Sequence, residues 1–284
     1  MTQKSKQLPL FLDTTLQVDR CLSAHDSARS DAVAKLLGDY NFLVSCVYSR
    51  LEFKRVVLQN IALILRYIVE ADPPSFFGAL LRVSKLNYTP RKASTLANIL
   101  AWIGHNIDSN VQTGEVGSNI DLVIARRAES YIRNTIKRRW LWYRRTIDSL
   151  VDRMNCQRGK EQPVENADGS IDTSVHESAC KNKGCNIANF FREQMSRLKK
   201  LLADLKKAKT TNGQLTDELE DAIRSIEAAI KDPTRLYNYN RCLELSDVWI
   251  HLESVAAGIS DFGTTNYKES DLICPSLGLT KRQP

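Results

Sequence analysis

A chain of 284 residues, 43% hydrophobic and 26% charged, has the composition of a globular protein. It lacks both an apolar run of the ~20 residues that cross a bilayer and a signal-peptide core after MTQKSK, so no membrane role and a cytoplasmic location are expected. Its seven cysteines read as buried thiols or metal ligands rather than a disulfide framework, and a formal charge of +7 admits an anionic partner.

LPLFL (8 to 12) reads as a short buried strand that ends on Asp13, and SAHDSARSDAVAKLLGDY (23 to 40) has helical spacing. NFLVSCVYS (41 to 49) is β-branched and aromatic, and it runs into RLEFKRVVLQNIALILRYIVEA (50 to 71), a helix stopped by Asp72-Pro73-Pro74. Strand, helix, strand, helix is the opening of an α/β unit.

From 75 to about 231 the patterns predict helix only: FFGALLRVSKL, PRKASTLANILAWIGHNI, and a long helix from about Ser118 to Met154. Residues 157 to 175 lack apolar periodicity and read as a mobile loop. ANFFREQMSRLKKLLADLKKAK and QLTDELEDAIRSIEAAIK then form two helices, one basic and one acidic, joined at Thr210-Thr211-Asn212-Gly213. That contrast suits an antiparallel hairpin with paired charges, with a binding role as the alternative.

Past Asp232-Pro233, SDVWIHLESVAAGI (246 to 259) reads as helix and SDFGTT (260 to 265) as strand. The expected fold class is therefore α/β, a small parallel sheet flanked by helices. Residues 1–72 and 233–284 would form one discontinuous domain, interrupted by an all-helical insertion over 73–232. If the two ends do not share a sheet, a purely helical scaffold is the alternative.

The strongest charge feature is SYIRNTIKRRWLWYRRTID (130 to 148). On a helical wheel Ile132, Ile136, Trp140, Tyr143 and Ile147 fall in one quadrant as a core face. Arg126, Arg133, Lys137 and Arg144 form one stripe, Arg127, Arg138 and Arg145 a second, and Arg139 completes the set. Only Glu129 is acidic between 126 and 147, so pairing within the helix cannot absorb the charge. RNA or single-stranded DNA is the expected partner; the alternatives are pairing with the acidic helix 214–231, a protein partner or a second copy of the chain.

Cys156, His176, Cys180 and Cys185 offer the ligand types of a Cys₃His zinc site. Zinc would pin the two ends of the loop; unligated surface thiols are the competing reading. No Gly-rich phosphate loop, Gly-x-Ser-x-Gly elbow or dinucleotide fingerprint occurs in the chain.

An acid just after a buried strand lies at the carboxyl edge of a sheet, where open α/β folds bind ligands. LFLDTTLQVDR, then VYSRLEFKR, then LSDVWIHLESVAAGISDFGTTN resemble, in order and spacing, the PIN-domain nucleases. That resemblance implies a PIN-like fold and a divalent-metal-dependent endonuclease, with Asp13, Glu52 and Asp247 holding Mg²⁺ or Mn²⁺ and Thr14 and Ser49 flanking the first two acids. The fourth position, in Thr264-Thr265-Asn266, has an amide where the family has an acid, so Asn266 supplies no charge; Glu269 and Asp271 are nearby substitutes. The alternative implied is a catalytically weak PIN-like module that binds nucleic acid or protein.

Overall fold

The computed structural model describes residues 8–22, 26–85, 90–108, 120–167, 170–173, 184–212, 215–266 and 268–284. The chain opens with β1 (Pro9–Leu12), α1 (Thr14–Leu22), α2 (Ser27–Gly38), β2 (Phe42–Cys46) and α3 (Val47–Phe53). A π-helical turn (Lys54–Leu58) leads into α4 (Gln59–Val69), and α5 (Phe76–Lys85), α6 (Pro90–Asp108) and α7 (Ile120–Arg145) follow. After β3 (Ser149–Val151) come a 3-10 turn (Gln157–Gly159) and the short β4 (Val164–Glu165) and β5 (Ile171–Asp172). The remainder is α8 (Ile187–Glu193), α9 (Met195–Asn212), α10 (Asp217–Lys231), a 3-10 turn (Pro233–Tyr237), α11 (Tyr239–Glu244), α12 (Ser246–Ala256), β6 (Asp261–Gly263), α13 (Lys268–Leu277) and β7 (Thr280–Arg282).

Five strands make one parallel sheet in the order β3-β2-β1-β6-β7. Phe11 faces Val44 on one side and Phe262 on the other, so the two ends of the chain share a sheet and the purely helical alternative falls. Mixed α/β architecture, mostly helical, with a parallel sheet flanked by helices is what the sequence led us to expect.

The middle of the chain differs from its expected form, because the helix predicted to run to Met154 stops at Arg145. The Asp148 amide donates to Leu43 O (2.8 Å) and its carboxylate accepts from Leu43 N (2.7 Å), which seats Ser149–Val151 on the edge of β2. A three-residue strand is too short to show alternation, so its period is invisible in sequence. Residues 73–232 are therefore not all helix, and they supply one strand of the main sheet.

That strand also divides the block between the two faces of the sheet, since neighbouring strand residues point to opposite sides. Leu10 and Leu12 join a core with α4, α6 and α7 that ends at Ile147. Phe11, Val44 and Cys46 join a second core that runs from Met154 through α8–α10 to α12 and α13.

The basic and acidic helices form the antiparallel hairpin expected of them: Lys206 pairs with Glu227 (2.6 Å) and Lys209 with Glu220 (2.9 Å). The basic helix is interrupted at Gln194, although Gln194 N still reaches Phe190 O and Leu198 N reaches Gln194 O. Within the expected loop, Gly159 lies so close to α3 that an added Cβ would stand 2.3 Å from Val47 O. No helix among the described residues is long and apolar enough to cross a membrane.

Candidate active site

Asp13 follows β1 directly, and its amide donates to Gly263 O (2.9 Å), carrying the β1–β6 pairing one residue further. Its carboxylate is 3% exposed and accepts three hydrogen bonds. Oδ1 takes Thr14 N (2.6 Å), and Oδ2 takes the hydroxyls of Thr15 and Thr264 (2.7 Å each). Each hydroxyl accepts in turn from a backbone amide, Thr15 from Thr265 (3.1 Å) and Thr264 from Asn266 (2.9 Å). The two hydroxyls both give and take, so the buried carboxylate is met by donors that are themselves held in place.

Glu52 reaches the knot from α3. The Thr14 hydroxyl donates to Glu52 Oε2 (2.7 Å), and the Ser246 side chain at the start of α12 bonds the same carboxyl. Burial pushes the Glu52 pKa up and the charge of Asp13 pushes it further, while the hydroxyls of Thr14 and Ser246 and the charge of Arg55 oppose the rise. Asp13 and Glu52, expected together, are thus bridged by one threonine.

Asp247 is next to Ser246, in the first turn of α12 and half-buried. Its backbone carbonyl takes the Nδ1 proton of His251 (2.6 Å), whose buried ring stacks 4.0 Å from Phe262 of β6. Burial lowers the His251 pKa against the pull of that carbonyl and of Asp13, so the ring is held neutral behind the acids. Cys274 on α13 also feels Asp13: burial first, then that charge, raise its thiol to about 12. Glu269 is buried in the first turn of α13, whereas Asp271 is exposed and paired with Lys281. Among the described residues no three or more His, Cys, Asp and Glu side chains are gathered as an ion would require.

Thr15 and Ser246 carry roles that sequence reasoning missed. The signal for the first was a pattern, Asp-Thr-Thr at one end and Gly-Thr-Thr-Asn at the other, whose hydroxyls meet across β1 and β6.

The helical wheel for α7 holds: Ile132, Ile136, Trp140, Tyr143 and Ile147 are all buried. Arg126, Lys137, Arg138, Arg144 and Arg145 are exposed, with Arg127 half-buried. Two expected members turn away from the track. Arg133 pairs with Glu129 (2.9 Å) and Glu165 (3.7 Å), and Arg139 lies between the rings of Trp102 (5.1 Å) and Trp142 (5.8 Å). α7 is also tied to the acid-bearing elements, because Arg50 of α3 stacks 3.7 Å from Trp140 and Tyr143 bonds Ser45 of β2 (2.8 Å). The acids of α10 engage α9, so they do not neutralise α7 through Glu220 or Glu227.

Of the four expected zinc ligands, Cys156 and Cys185 line one cavity together with Cys242 and Met154. His176 and Cys180 lie outside the described residues. No family model, no curated protein and no solved structure matches the chain.

Proposed function

We propose that the protein is a PIN-like, divalent-metal-dependent nuclease that hydrolyses phosphodiester bonds in RNA or single-stranded DNA at the carboxyl edge of its parallel sheet. One observation carries the reading: Asp13 and Glu52, from different elements, are joined through Thr14 at that edge, and the charge of Asp13 opposes the ionisation of Glu52. Such a pair fits a hard divalent cation, which removes the repulsion between the acids.

Asp13 and Glu52 would hold the ion, with Asp247 and the amide oxygen of Asn266 as the next donors. A bound Mg²⁺ or Mn²⁺ supplies neutralisation of phosphoryl charge and activation of a water. The remaining work falls to the chain. Thr15 and Thr264 fix the orientation of Asp13, Thr14 and Ser246 hold Glu52, and the exposed cations of α7 take the phosphates of the strand.

A second reading, an inert module that binds single strands, is favoured by the three internal donors that already satisfy Asp13 and by an amide at position 266. Cleavage of a labelled single strand in Mn²⁺, abolished by EDTA and by Asp13→Asn, supports the nuclease. Salt-sensitive binding with no cleavage supports the module.

A further inference from the structure

Two cysteines far apart in sequence come together outside the carboxylate site. The segment after β3 and the segment before α8 run side by side: Asn186 N donates to Met154 O (2.8 Å), and Asn155 Nδ2 to Gly184 O (2.7 Å). Residue numbers rise along one segment as they fall along the other, so the two are antiparallel. Cys156 is one residue past Asn155 and Cys185 lies between Gly184 and Asn186, so the two cysteines sit on adjoining segments at this contact. Asn155 (φ 51°) and Gly184 (φ 77°) both take the left-handed conformation that makes this crossing.

Cys156 and Cys185 line the same cavity. Cys185 is half-buried and Cys156 is 7% exposed. The third thiol, Cys242, lies beside Tyr48, whose hydroxyl is 3.6 Å from its sulfur. Arg158, only 2% exposed, also lines the cavity.

We propose that Cys156 and Cys185 are a redox-responsive thiol pair that closes to a disulfide under hydrogen peroxide. The more exposed Cys185 sulfur attacks one peroxide oxygen, the O–O bond breaks, and the leaving hydroxide departs as water with the thiol proton. The Cys156 sulfur then attacks the Cys185 sulfenic acid, the S–O bond breaks, and a second water leaves with the Cys156 proton. One peroxide is reduced to two waters as two thiols become one disulfide.

The consequence reaches α3, because the turn that follows Cys156 carries Gly159 against Val47, on the helix that holds Glu52. Oxidation fastens the start of α8 to that brace. This inference does not depend on the nuclease reading.

The test treats the full chain with limiting peroxide, alkylates it with N-ethylmaleimide and maps the peptides without reductant. The expected product is a Cys156–Cys185 linked peptide, reversed by dithiothreitol, lost in Cys185→Ser and kept in Cys242→Ser. Amide exchange over residues 157–159 slows in the oxidised protein. Three results overturn the proposal: a disulfide to another cysteine, Cys185 driven to sulfinic acid while Cys156 stays alkylatable, or a pair that resists alkylation before peroxide until a chelator removes bound zinc. The wild-type map alone decides, should the serine variant fail to fold.

Discussion

The carboxylate knot and the basic face of α7 are opposite solutions to carrying charge. The knot is assembled from both ends of the chain, is buried, and answers each oxygen of Asp13 with a donor. The basic face comes from one continuous helix and stays in solvent. Charge held inside is coupled to stability and geometry; charge held outside is coupled to the ionic atmosphere and to whatever binds. The two regions should therefore fail differently.

The largest difference in stability is expected at Asp13. Asp13→Ala removes the acceptor of one amide and two hydroxyls in a buried site and is expected to cost about 3 kcal/mol in urea unfolding, whereas Arg138→Ala changes stability by less than about 0.5 kcal/mol. Equal losses at the two positions would erase the distinction.

Glu253 extends the comparison to a second buried acid. Its carboxylate accepts from the amides of Arg153 (3.0 Å) and Met154 (3.2 Å), yet burial raises its pKa from 4.5 to about 7. Between those values the native state keeps a proton that the unfolded chain has released. This group's contribution to stability is therefore full below about 4.5 and falls as pH rises to about 7, by on the order of 2 kcal/mol. Glu253→Gln is expected to remove that slope from denaturant midpoints measured across the window; a slope that persists assigns it to another group.

Packing alone, with no charge involved, is isolated by Gly159→Ala. Its Cβ would collide with the backbone of Val47, so about 2 kcal/mol of stability should be lost and the turn should lift from α3. An unchanged thermal midpoint would mean that the turn does not brace the helix.

The smallest stability effect and the clearest binding effect belong to the outer face. Arg138→Glu with Arg145→Glu should leave unfolding nearly unchanged, weaken binding of a single strand, and flatten its dependence of log K on log salt by about 1 to 2. An indifferent double variant would remove α7 from the binding surface.

How legible these regions were in the sequence follows from the same physics. The buried face of α7 was readable residue by residue because it repeats every turn. β1 and β2 were readable as apolar runs, and β6 as the short strand-like SDFGTT after a helix. β3, three residues long after a helix, offered neither period nor length, and α1, with Gln17 and Asp19 buried, hid its face. Asp13 and Glu52 were legible as a pair through family resemblance, but their hydroxyl partners required knowing that β1 lies against β6. The diversion of Arg133 and Arg139 was not legible, since Glu165, Trp102 and Trp142 meet them only in the folded chain.

The central claim is that the carboxylate pair is a metal-dependent cleaving site and the outer face its strand-binding surface. The most direct measurement is cleavage of an end-labelled single strand by the purified chain in Mn²⁺, run beside Asp13→Asn, Glu52→Gln and an EDTA control. The account predicts fragments from the parent protein alone, none with EDTA, and retained strand binding by both variants. Undiminished cleavage by Asp13→Asn and Glu52→Gln, or no cleavage by a parent that binds the strand, would contradict it.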